Sequence, residues 1–267
     1  MRRLKSAACV AAMALAGAGG AVAAPAQAAT QAEYVALGDS YASGVGAGSY
    51  DPASGDCKRS TQNYPHQWAA ANPDYSLTDV SCSGATIQDV RDNQLSALSS
   101  STNFVTVTVG GNDAQFSTLA QGCLTQTDDN WCQVATLYMS AYAKGQLSDQ
   151  LASLYADIKA RAPHALVLVL GYPEVLSTSS TECPVIDVNA TRRTAMNNFA
   201  DALAEGTAAA ATKASVYFLD MRKQFEGHGA CGPDSWINDL NNAPEVFHPN
   251  LTGYTKGYSD KLKATWG

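Results

Sequence analysis

Basic side chains are scarce in this sequence: 17 Lys and Arg stand against 24 Asp and Glu among 267 residues, a formal net charge of −7. Nothing gathers them into a basic stripe that could neutralise a row of phosphates, so nucleic acid is excluded as a partner. Histidine is rarer still, with four in the whole chain. The cysteines match no compact zinc spacing, and no metal or organic cofactor is expected. No internal repeat or low-complexity linker divides the chain. The extended apolar stretch at the amino terminus is broken by glycines and has no stop-transfer flank, which disfavours a membrane anchor.

That amino-terminal stretch has the parts of an export signal. Arg2, Arg3 and Lys5 precede an Ala/Val/Leu/Met-rich run from Ala7, and Ala26-Gln27-Ala28 supplies small residues for a cut. A signal over residues 1–28 leaves a single domain over 29–267, ample for a sizeable core. Arg2, Arg3 and Lys5 are the signal's only charges, so its removal takes the formal charge from −7 to −10. Cys9 leaves with it. Six cysteines remain, Cys57, Cys82, Cys123, Cys132, Cys183 and Cys231. An even number in an exported chain predicts three disulfides, with 15 pairings open to six cysteines. A secreted, extracellular monomer is expected.

Five stretches read as strands: 33–38 (EYVALG), 75–80 (YSLTDV), 104–111 (FVTVTVGG), 165–171 (ALVLVLG) and 215–220 (SVYFLD). Runs apolar on both faces fit parallel strands covered on each side. Helical spacing appears over 86–98 and more strongly over 146–160, where Leu147, Leu151, Leu154 and Ile158 recur before Pro163. A long Ala-rich helix is predicted from Asp187 to Ala214, and a terminal one from about Leu251. Strands alternating with helices predict an α/β fold with a mostly parallel five-stranded sheet between helices. Two inserts, 46–65 and 119–133, are predicted to be irregular loops near the carboxyl edge of the sheet.

Four separated pieces then call for one explanation: Gly38-Asp39-Ser40 after the first strand, SCSGAT (81–86) after the second, GGND (110–113) after the third, and FHPN (247–250) near the end. Each alone is an ordinary turn or cap. In an open parallel sheet, however, three strand ends converge on one edge, which brings Ser40, Gly84 and Asn112 together. The set has the components of acyl transfer. Ser40 needs a base, and His248 can take and return its proton near neutral pH. The backbone N–H groups of Ser40 and Gly84 and the Asn112 amide would serve as oxyanion donors. Asp39 and Asp113 are expected to brace their turns, and His66, His164 and His228 have no comparable partners.

With these four blocks in order, the sequence resembles the secreted SGNH hydrolases, also called GDSL lipases and esterases, over nearly the whole mature chain. The actinomycete extracellular lipases and phospholipases are the nearest branch of that resemblance. It implies a flavodoxin-like fold, Ser40 as nucleophile, His248 as base, and Ser40, Gly84 and Asn112 as the oxyanion hole. Many members carry an Asp three residues before the histidine, where this chain has Glu245; Glu245 would orient the imidazole, unless a main-chain carbonyl does so. The resemblance also implies consecutive bridges, Cys57–Cys82, Cys123–Cys132 and Cys183–Cys231. The implied activity is hydrolysis of carboxylic esters, with lipid esters foremost and phospholipid among them. The same machinery would serve a carbohydrate acetylesterase, and the same fold a non-catalytic carbohydrate- or surface-binding module.

Overall fold

The computed structural model describes residues 31–125, 128–178, 183 and 188–266. The expected export signal and Asp187, the expected first residue of the long Ala-rich helix, lie outside them; the helix itself starts at Ala190, capped by Asn189. Five strands form one sheet: β1 (Ala32–Gly38), β2 (Tyr75–Asp79), β3 (Thr102–Thr108), β4 (Leu166–Leu170) and β5 (Tyr217–Leu219). Their order is β2-β1-β3-β4-β5, and all four pairings are parallel. The burial of each strand follows its place. Tyr34–Gly38 of β1 and Phe104–Thr108 of β3 are buried throughout, whereas edge strand β2 has no buried residue. A central parallel strand is covered on both faces, so its side chains are apolar without alternation. Each fully buried Val or Leu there contributes about 1.5–3 kcal/mol.

Among the described residues, eight α-helical segments surround the sheet: α1 (Ser40–Ser43), α2 (Tyr64–Ala71), α3 (Ile87–Asp89), α4 (Phe116–Thr125), α5 (Asp129–Tyr142), α6 (Ser148–Arg161), α7 (Ala190–Ala214) and α8 (Asp260–Thr265). Thr86 caps α3 through a reciprocal box with Asp89, and a wide π turn over Val90–Gln94 and a tight 3-10 turn over Leu95–Ala97 continue it. The α6 stripe of Leu151, Leu154 and Ile158 is fully buried, and the helix stops at Arg161, just ahead of Pro163. Around Trp68 of α2, the rings of Tyr34 and Phe104 pack at 5.2 and 4.7 Å.

The second insert departs from expectation. Its residues 119–125 and 129–133 are not an irregular excursion but parts of α4 and α5, which the Cys123–Cys132 disulfide joins. Asp128 caps α5 by accepting the Asn130 N–H. Both helices bury a narrow stripe, Leu119, Ala120 and Cys123 on one and Cys132 and Thr136 on the other. Most of their other residues are polar or exposed, with Phe116, Leu124, Ala135 and Met139 only half-buried, which weakened the helical period in the sequence. The other disulfides join Cys57 to Cys82 and Cys183 to Cys231.

Candidate active site

The strand order changes direction between β1 and β3, and in open parallel sheets the crevice outside the carboxyl ends at that point is where ligands bind. Ser40 follows β1 directly and opens the four-residue α1. Asp39 caps this helix, its Oδ1 accepting the Tyr41 N–H at 2.9 Å. Gly38 lets β1 and β3 close on each other, since a Cβ there would lie 2.2 Å from Thr108 O. Among the described residues the Ser40 N–H has no acceptor; first-turn N–H groups point out of a helix unpaired.

His248 arrives from the loop ahead of the last helix. Its Nε2 lies 2.8 Å from Ser40 Oγ, and its Nδ1 lies 3.2 Å from Val246 O. A carbonyl only accepts, so Nδ1 carries the proton and Nε2 is left to accept from the serine. Burial pushes the imidazole down to about 4, opposed by the carbonyls of Val246 and Glu245. It is therefore neutral at pH 7, the form a base needs. Phe247, immediately before it, has φ +64°, an uncommon conformation for a bulky side chain. Tyr41 Oη donates to Phe247 O and its ring lies 5.2 Å from the imidazole, which secures this strained peptide from the side of Ser40.

Of the two orienting groups left open by the sequence, the structure sets a main-chain carbonyl, not the Glu245 side chain, against the imidazole. The Glu245 carboxylate accepts from Tyr50 Oη, and the acceptor facing His248 Nδ1 is the Val246 carbonyl. The His248 N–H itself closes a turn onto Glu245 O at 3.2 Å, which leaves the Glu245 side chain to reach the insert after Ser40 instead.

Asn112 lies beyond β3. Its Nδ2 donates to Ala85 O at 2.9 Å, leaving a second amide N–H. The next residue, Asp113, accepts the Ile87 N–H at 3.1 Å, so the third block is fastened to the second at two points. Gly84 has φ +82°, which a glycine adopts without strain, in a turn closed by Ala85 N–H to Cys82 O. Its own N–H has no acceptor among the described residues. Ser40, Asn112 and His248 line one cavity of about 440 Å³, and Gly84 does not. The cavity walls are apolar: Phe116, Ala120 and Leu124 of α4, with Phe199 and Leu203 of α7, beside Val246 and Phe247.

His66, paired with Asn63, and His228, stacked on Trp236, stand apart from this cavity. Sequence reasoning missed three tyrosines at the site, Tyr41, Tyr50 and Tyr172. Only Tyr172 carried a signal, since it stands just past the end of the fourth strand at the same sheet edge.

Comparison with known proteins agrees with this geometry. Residues 36–256 match the model of the GDSL-like lipase/acylhydrolase family. The chain is 40% identical to Lipase 1 of Streptomyces coelicolor over 90% of this chain and 89% of that relative. Among solved structures it is similar to the phospholipase A1 of Streptomyces albidoflavus, with TM-score 0.83 and 38% identity over 88% of this chain and 99% of that one. It is equally similar to the extracellular lipase of Streptomyces rimosus, with TM-score 0.83 and 39% identity over 87% and 98%. The chain belongs to the GDSL-like lipase/acylhydrolase family and is an ester hydrolase of the lipase/esterase type.

Proposed function

We propose that this secreted enzyme cleaves carboxylic esters of lipids through a covalent acyl–Ser40 intermediate. The observation that carries this reading is the 2.8 Å contact between Ser40 Oγ and His248 Nε2, with Nδ1 held by Val246 O. Ser40 Oγ bonds to the acyl carbon while its proton passes to His248. The carbonyl oxygen, now an anion, is met by the N–H groups of Ser40 and Gly84 and by the free N–H of Asn112. As the tetrahedral species collapses, the C–O bond to the alcohol breaks and His248 protonates the leaving oxygen. Water then attacks the acyl–enzyme with His248 again as base, and the acid departs. Val246 O orients the imidazole throughout, and Glu245 has no part in the proton transfers.

The apolar wall between α4 and α7 suits an acyl chain better than an acetylated sugar, whose hydroxyls would find few partners there. The likeness to a phospholipase A1 adds phospholipid to the substrates to be tried beside triacylglycerol. A serine-reactive phosphonate should label wild type at Ser40 and leave Ser40→Ala unlabelled and inactive, with its circular-dichroism melt unchanged. Ester hydrolysis at near wild-type rate by folded Ser40→Ala would overturn the reading. Faster turnover of acetylated xylan than of any lipid ester would keep the machinery and change the substrate.

A further inference from the structure

Tyr172 stands two residues beyond β4, yet its hydroxyl lies at the heart of the β1 and β3 edges. It is 8% exposed and makes two bonds there, donating to Asp39 Oδ2 and accepting the Gly111 N–H at 3.0 Å. The roles are forced, because an amide N–H can only donate and the phenol has one proton to give. Asp39 is 1% exposed and its other oxygen takes the Tyr41 N–H. No Lys or Arg pairs with it among the described residues. A buried carboxyl without a cation depends on its few hydrogen-bond donors, so the phenol cannot turn away cheaply.

The ring is as constrained as the hydroxyl. A Cβ on Gly111 would lie 3.3 Å from both the phenol oxygen and the carbon that bears it, so the glycine is what lets the phenol reach its backbone. On its other side the ring meets Tyr41 edge-on at 5.0 Å. Asn112 follows Gly111 directly, and its side chain is tied to Ala85 O. The Gly110–Gly111 peptide just ahead of Asn112 is therefore held by Tyr172, and the Asn112 side chain by Ala85 O.

We propose that Tyr172 is a positioning residue of the ester hydrolysis: clamped on Asp39 beside the nucleophile, it sets the height of the Gly110–Gly111 peptide, and with it the backbone that runs into Asn112, and so aims the Asn112 N–H at the oxyanion. This rests on the reading of Asn112 as an oxyanion donor. Burial raises Asp39 to about 7 while the Tyr172 bond pulls it back, as expected of a carboxyl that relies on this phenol.

The test is a double-mutant cycle on the disulfide-intact secreted protein with a soluble p-nitrophenyl ester. Asn112→Ala should lower kcat by about 10²–10³. Tyr172→Phe should lower kcat roughly 10–100-fold with KM held within about twofold, the loss expected of a displaced transition-state donor. In the Asn112→Ala background, Tyr172→Phe should cost less than about twofold more, since the donor it aims is already gone. Equal losses in both backgrounds, no loss, or a rise in KM alone would overturn the proposal. Where Tyr172→Phe does not give a native melt, Gly111→Ala pushes on the same contact and leaves Asp39 its donor; it should show the same dependence on Asn112, and an equal loss in both backgrounds counts against the proposal. If Asn112→Ala itself keeps full kcat, the oxyanion assignment fails and this inference with it. If Asn112→Ala is impaired and Tyr172→Phe is not, only the positioning role falls.

Discussion

Tyr50 Oη donates to Glu245 Oε1 at 2.5 Å and accepts the Gly46 N–H at 2.8 Å, so the carboxylate joins the histidine loop to the insert after Ser40. Burial and Glu245 push the phenol up to about 12, which keeps its proton in place for this bond. The arrangement separates two duties that one carboxylate performs in a serine triad. Here the carboxylate braces the loop, and Val246 O faces the imidazole.

Glu245→Gln should therefore leave most of the activity. The glutamine oxygen still accepts from Tyr50 and the Val246 carbonyl is untouched, so kcat/KM should stay within about tenfold of wild type, far from the ~10⁴ lost in kcat when a triad aspartate becomes asparagine. Rates for both proteins on one soluble ester across pH decide the matter. A loss beyond roughly a hundredfold, with the melt unchanged, would return the side chain to a catalytic role.

The pH dependence follows from the low imidazole value. In the proposed mechanism His248 acts as a base only when neutral, and burial lowers it from 6.5 to about 4. The acid limb of kcat/KM should accordingly have its midpoint near 4 and stay flat through 6.5. Asp39, raised to about 7, lies on the other side of the ordinary histidine value, so the two groups separate in one profile. Between about 4 and 6.5 the unfolded chain binds a proton at this histidine that the native chain does not, so its contribution to stability rises with pH over that window. An acid limb at 6.5 would show that water reaches the imidazole in the working enzyme.

The apolar wall should set acyl preference. Ala120 lies on α4 and faces the cavity, so Ala120→Leu fills part of the space an acyl chain would take. Hydrolysis of an acetate ester should be little changed. The octanoate-to-acetate ratio of kcat/KM should fall about tenfold or more, since each methylene denied burial costs about 0.8 kcal/mol. An unchanged ratio would place the acyl chain outside this cavity.

The central sheet was legible because Val35, Ala36 and Leu37 of β1 and Val167, Leu168 and Val169 of β4 are apolar on both faces, as parallel strands covered on each side require. The Ser40 and Asn112 blocks were legible for a topological reason: strand ends in such a sheet share an edge, so residues far apart in sequence become neighbours. What escaped were features without a period of their own. The α4–α5 pair buries too narrow a stripe to stand out from its polar residues. Glu245 could be placed near His248 by spacing, but not told apart from Val246 O, since main-chain acceptors leave no mark on residue identity. Tyr41, Tyr50 and Tyr172 act through hydroxyls that reach partners in other loops, and no local pattern shows where a phenol ends.

The carbonyl that faces His248 Nδ1 is common to every amino acid, so no codon at position 246 specifies it. The instruction for a correctly held imidazole is written instead in the path of the loop: the left-handed turn at Phe247, the Tyr41 hydroxyl on its carbonyl and the Tyr50–Glu245 tie. Inheritance of the base's orientation is thus distributed. Drift at residue 246 is free as far as the proton is concerned, whereas a change in a tyrosine that never touches substrate can undo it. A search for relatives that demands an acid beside the histidine would pass over an enzyme built in this way.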